Sequence, residues 1–322
     1  MLQRTARSVC ALAALMGFSA FAGPAFAGYG DLFVSQRNGG SGVVRVEVST
    51  GTVLGTFAGS NASQGVQFGP NGNLFVASFG PDAVFQYDRG SGAQVGSGAF
   101  SSGSALGGAS GITFGPDGGL YTASFFGNSI LKFNGTTGAF DRVFATGVSS
   151  PYGITFGPDG NLYVGDTDND RIERYNGTTG AKIDTFFSSP MLDYPGQFAF
   201  GPDGNLYIAS FGTDRVIQVD AMSGAVLNAS FVSLAGATGL AFGSDGSLYV
   251  GSFTNGTVGR YNAVTGAFVG LVASGLTDGP TFMTLAPVPE PASIVLTVLG
   301  SATLLIASRR RSLARRFFGS RA

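Results

Sequence analysis

Residues 153–175 read GITFGPDGNLYVGDTDNDRIERY. The segment holds a short apolar run, a Pro-Asp-Gly corner, a second apolar run, a polar loop and an alternating third run. Short runs divided by turn residues read as antiparallel β-strands, and Pro-Asp-Gly is turn chemistry because its glycine tolerates positive φ. With the following AKIDTFF the unit makes four strands.

The same unit recurs along the chain. FGPNGNLFVAS starts at Phe68, FGPDGGLYTAS at Phe114, FGPDGNLYVGD at Phe156, FGPDGNLYIAS at Phe200 and FGSDGSLYVGS at Phe242, in steps of 46, 42, 44 and 42 residues. A second landmark, a Ser/Thr-Gly turn, ends at Gly51, Gly92, Gly138, Gly180, Gly224 and Gly266, in steps of 41, 46, 42, 44 and 42. A repeat of about 40–45 residues is the length of a propeller blade, and radial closure hides most strand edges. GDLFVSQ at 30–36 matches a second strand, so the first unit lacks its inner strand, and GPTFMTLA at 279–286 supplies one. The expected fold is therefore all-β, a six-bladed propeller of four-stranded blades over 28–286, closed by the C-terminal strand.

Residues 153–175 resemble the NHL-repeat pattern, and more loosely the gluconolactonase and strictosidine-synthase-like propellers. The resemblance is partial in the other units, which carry Ser where this one has Asp166. The gluconolactonase type implies a central Glu/Asn/Asp metal set at the inner-strand ends. The corresponding positions here are Gln67, Thr113, Thr155, Ala199, Ala241 and Thr284, with no carboxylate among them.

The chain has no His, which removes histidine bases, histidine metal ligands and Ser-His-Asp or Cys-His nucleophiles. Glu47 and Glu173 are the only glutamates of residues 28–288, and their alternating strands predict outward-facing side chains. The acidic run Asp166-Thr-Asp168-Asn-Asp170 offers hard oxygen ligands for calcium, but Arg171 and Gly177 stand where an EF-hand needs Gly and Glu. At about 6–7 Å in water each carboxylate pair costs roughly 0.6 kcal/mol, so no ion is required. A plain blade loop is the preferred reading, with no cofactor and calcium as the alternative.

In other units the same loop reads Ser78-Phe79, Ser124-Phe125, Ser210-Phe211 and Ser252-Phe253. All copies should lie on one face of the disc together with Asp166. With 29 Phe and no Trp, these rings are expected to pack between blades. The other reading is an aromatic ring at the channel mouth that binds a polysaccharide or a protein.

Both ends read as addresses. Arg4 and Arg7, the apolar run Val9–Ala22 and Ala25-Phe26-Ala27 make residues 1–27 a secretory signal peptide. Cys10, the only cysteine, lies within it, so residues 28–322 have no thiol chemistry. Pro289-Glu290-Pro291 (the motif at 287–291) precedes an apolar run over 292–308 and then Arg309, Arg310 and Arg311, within the basic tail 309–322. Such a run can just span a bilayer, and the arginines hold their side in the cytoplasm. This tripartite tail resembles the PEP-CTERM sorting signal of Gram-negative bacteria. The resemblance implies an exosortase-type membrane protease as partner and a transient inner-membrane anchor. It also implies release to the cell surface or biofilm matrix. Residues 28–288 hold 10 Lys+Arg against 18 Asp+Glu, a balance of −8 that argues against nucleic acid.

These readings predict an exported body that is not an enzyme. It would serve as a binding or scaffold protein of the cell surface or extracellular polysaccharide. A metal-dependent hydrolase or lyase of the gluconolactonase-like type is the alternative.

Overall fold

A computed structural model describes residues 30–37, 42–59, 62–103, 105–277 and 279–287. The signal peptide, the Pro-Glu-Pro motif, the apolar run and the terminal arginines lie outside the described residues. Among the described residues no helix is long and apolar enough to cross a membrane.

Six four-stranded antiparallel sheets make six blades. Blade 4 shows the plan: inner strand Pro151–Phe156, second strand Leu162–Asp166, third strand Arg171–Tyr175 and outer strand Lys182–Ser188. Blade 1 takes its inner strand, Pro280–Leu285, from the far end of the chain; Leu285 pairs with Leu32 and Met283 with Val34. The Ser35 hydroxyl accepts from the Phe282 N–H at 3.0 Å and meets the Thr281 hydroxyl at 3.0 Å. The clasp legible in the sequence is thus the closure.

Two glycines explain why the repeat keeps its beat. In the Pro-Asp-Gly corner, Gly160 has φ +75° and its N–H donates to Gly157 at 2.9 Å, closing a turn over open space. In the Thr-Gly corner, Gly180 has φ +76°, and a Cβ there would run into the Phe144 carbonyl on the outer strand of blade 3. Each of the six corner glycines abuts the preceding blade in this way, including Gly51 against Val272 across the closure. The turn glycine is therefore also a blade contact.

Aromatic rings staple the blades. Tyr163 of blade 4 stands edge-on to Phe186 of its own outer strand (4.9 Å) and to Phe200 of blade 5 (5.2 Å). Phe33, Phe75, Tyr121 and Tyr207 repeat the arrangement. Such pairs contribute about 0.5–1.5 kcal/mol each beyond area burial. At the closure the core around Tyr249 is aliphatic instead, with Val272, Met283 and Leu285.

Around the axis the inner strands approach backbone to backbone. A Cβ on Gly65, Gly111 or Gly153 would strike the neighbouring strand's main chain. Gln197 and Phe282 replace this glycine in blades 5 and 1, and their side chains help to plug the channel. The Gln197 side chain bonds to the Leu240 N–H and to both main-chain groups of Met283.

Candidate functional site

The plug divides the axis into two ends. The loop face carries the connections from second to third strands and the entries to the inner strands. There Phe79, Phe125, Phe211 and Phe253 come together, each half-buried. Phe79 meets Phe125 at 5.5 Å, and Phe211 meets Phe253 at 6.0 Å. Tyr194 extends the circle, 6.0 Å from Phe211 and 6.0 Å from Tyr152. In blade 1 the equivalent of these Phe is Arg37, whose guanidinium lies over the Phe79 ring at 5.4 Å.

These groups enclose a cup of about 90 Å³, lined by Arg37, Tyr152, Tyr194, Phe211 and Phe253 with channel threonines beneath. Arg37 is the one charged lining residue, and it pairs with no carboxylate among the described residues. Tyr152 crosses the floor: its phenol donates to Gln64 Oε1 at 2.6 Å, and its ring lies 4.9 Å from Phe282. Burial, aided by Tyr194 nearby, pushes the Tyr152 phenol well above its ordinary value. It stays neutral at any physiological pH.

The acidic run does not converge. Asp166 is fully buried and binds Arg171 and Asn169; Asp168 accepts from the Ser150 hydroxyl; Asp170 accepts from the Tyr194 N–H. The short 3-10 turn Thr167–Asn169 sends the three carboxylates to three different partners. Glu173 corrects an expectation, since it is fully buried rather than outward. Arg171 at 2.6 Å, Lys182 at 3.0 Å and the Thr185 hydroxyl at 3.0 Å surround it. Two cations make burial tolerable there, in a strand position that is Ile217 in blade 5 and Leu131 in blade 3.

The turn face lies at the other end. Gln67, Thr113, Thr155, Ala199, Ala241 and Thr284 gather there, one from each inner strand, around a cavity of about 330 Å³. Amide, hydroxyl and methyl groups do not fit a gluconolactonase-type divalent ion, which needs anionic oxygen. Among the described residues no three of His, Cys, Asp and Glu stand together as a metal site.

Sequence reasoning placed the four Phe on one face, with packing between blades as its first reading, and did not single out Arg37, Tyr152 or Tyr194. The signal for Arg37 was present: Gln36-Arg37 occupies the Ser-Phe position of the incomplete first unit. Tyr152 and Tyr194 are set by the closed ring, which brings inner-strand entries to the axis.

Comparison with known proteins adds a family. The virginiamycin B lyase family matches residues 55–269, well over half the chain. No curated protein matches. Among solved structures, a chain of a nidogen/laminin complex superposes with TM-score 0.68 at 17% identity, over 80% of this chain and 98% of that one. A catalytically inactive histidine-to-alanine variant of virginiamycin B lyase from Staphylococcus aureus with quinupristin gives 0.55 at 13%, over 80% and 92%. A putative gluconolactonase gives 0.51 at 18%, over 70% and 86%. At these identities the structures show the same fold. The family match overturns the expectation of a body that is no enzyme, because the matched family is one of lyases. The chain belongs to the virginiamycin B lyase family.

Proposed function

We propose that this propeller is a lyase of the loop-face cup, acting on a ring compound that carries a carbonyl or carboxylate. The observation that carries the reading is Arg37, a guanidinium over an aromatic wall with no carboxylate partner among the described residues, in a body of net charge −8. Elimination beside a carbonyl moves a proton off the adjacent carbon, forms a carbon–carbon double bond and expels an oxygen with its bonding pair. The reaction needs a cation where negative charge develops and a group that takes the proton. Arg37 supplies the first. The chain has no His, so the base of this member differs from a histidine. Tyr194 is the half-exposed phenol of the cup, whereas Tyr152 is tied to Gln64 beneath it. Phe211 and Phe253 would hold the ring.

Quinupristin, found with a family relative, is the first probe. Elimination in a cyclic ester opens the ring at unchanged mass, whereas hydrolysis adds water. The expected result is a retention shift at constant mass that Arg37→Ala and Tyr194→Phe abolish. A panel of ring lactones and polyuronates left intact by the wild-type protein would refute the lyase reading.

We further propose export through residues 1–27, exosortase-type processing near Pro289-Glu290-Pro291, and release from an inner-membrane anchor to the surface or matrix. The two terminal sequence patterns support this. A mature protein found by mass spectrometry to retain Ala322 would refute the processing step.

A further inference from the structure

The turn-face cavity is distinct from the cup, because the Tyr152–Gln64 and Gln197–Met283 contacts lie between them. Its six equivalent positions are penultimate in the six inner strands, so the ring of groups is radial. Gln67, Thr113, Thr155 and Thr284 make no side-chain hydrogen bond to protein among the described residues. Elsewhere in the body comparable hydroxyls are engaged: Thr238 donates to the Pro280 carbonyl and Ser110 to the Pro151 carbonyl. Four unengaged amide and hydroxyl groups around one cavity are a set of donors and acceptors without an internal purpose.

The rest of the lining narrows the ligand. Among the described residues no ionisable side chain lines the cavity, and Ile112, Ile154, Phe200 and Phe242 provide apolar surface. Four residues beyond Thr113, Thr155, Ala199 and Ala241 stand Asp117, Asp159, Asp203 and Asp245 in the corners of the same face. Partial burial alone would raise these carboxyls, but hydrogen bonds hold them below the ordinary range, and Lys132, Arg174 and Arg260 pair with three of them, Asp117, Asp159 and Asp245. An anionic ligand would meet no counter-charge in the cavity lining. The volume lies within the range of roughly 300–1,000 Å³ typical of small-molecule sites.

We infer that the turn-face cavity is a binding site for a neutral saccharide unit, whose hydroxyls meet Gln67, Thr113, Thr155 and Thr284 and whose C–H face lies on Phe200 or Phe242. Hydroxyls both donate and accept, as do the Thr and Gln side chains, and the C–H faces of a sugar suit aromatic walls. The site does not depend on the lyase reading of the cup.

The test is saturation-transfer NMR and calorimetry on the purified protein. The probes are neutral oligosaccharides of glucose, galactose, mannose and N-acetylglucosamine, with oligoglucuronate as the charged control. At least one neutral probe should bind and oligoglucuronate should not. Thr113→Val with Thr155→Val keeps side-chain volume while removing two hydroxyls, and should weaken binding about tenfold or more without lowering the melting temperature. Arg37→Ala should leave this binding unchanged. Failure of every neutral probe, equal binding of oligoglucuronate, or undiminished affinity in the double variant would each overturn the assignment.

Discussion

The Asp170 carboxylate of blade 4 accepts a hydrogen bond at 2.7 Å from the main-chain N–H of Tyr194, the residue that opens blade 5. Both residues lie in the left-handed region, at φ 49° and 52°. The contact recurs as Asp82 to Gly108, Asn128 to Ser150 and Asp214 to Gly236, so in blades 2 to 5 one side chain steers the next blade's inner strand toward the axis; Gly42 and Gly256 stand at this position in blades 1 and 6. At Tyr194 that steering also sets a wall of the cup.

Asp170→Ala should destabilise the protein by about 1–3 kcal/mol, since a partly buried N–H loses its acceptor. Asp170→Asn should lose much less, because Asn128 already serves the equivalent N–H of Ser150 at 2.8 Å. Urea denaturation of the three proteins checks this; equal midpoints for Ala and wild type would show the contact to be idle. Calcium or chelator should leave the wild-type midpoint unchanged, because each carboxylate of the acidic run already has its own protein partner.

Gly160 and Gly180 form a matched pair, with nearly equal φ but different surroundings. Gly160→Ala should cost only the left-handed penalty, about 1–2 kcal/mol. Gly180→Ala should cost a further ~1–3 kcal/mol, because its Cβ displaces the outer strand of blade 3. Equal losses for the two would refute the blade contact.

The closure rests on the short strand Pro280–Leu285. Truncation after Asp278 removes it and bares Leu32 and Val34, both fully buried in the intact ring. Since total stability is typically about 5–15 kcal/mol, loss of one inner strand and its blade contacts should consume most of it. A chain ending at Ala286 should melt like wild type. Indistinguishable melts of the two truncations would refute the role of the clasp.

Stability should form a plateau bounded on both sides by the corner pairs. Asp203 would be raised by partial burial alone, yet Asn205, Tyr207 and Gln218 hold it below the ordinary carboxyl value. Its contribution is complete above the unfolded value of about 3.9 and is lost as pH falls through the lower folded value. Burial, then the Asp245 carboxylate, pushes the Tyr249 phenol up to about 12. Its contribution is complete below the unfolded value of about 10 and is lost as pH rises toward the folded one. Thermal melts across pH should show both limbs. Asp203→Asn should flatten the acid limb and Tyr249→Phe the alkaline one; unaltered limbs would show the pairs to be inert.

The strands, the blade count and the closure were legible in the sequence, because each depends on chemistry within one unit. Corner glycines, Pro-Asp-Gly turns and alternating runs repeat at a fixed beat, and the unmatched strand at each end implies the clasp. The sequence also showed that no histidine could act and that the inner-strand ends carry no carboxylate. Tertiary structure alone decided what faces what. Glu173 sits in an alternating strand whose pattern suggests solvent, yet it is fully buried, and Arg171 and Lys182 of its own blade neutralise it. Asp170, read as part of a plain blade loop, also binds the first main-chain N–H of the next blade. Arg37, Tyr152, Tyr194 and Phe253 lie far apart in the chain and meet only because six sheets close around one axis, an arrangement no local pattern encodes.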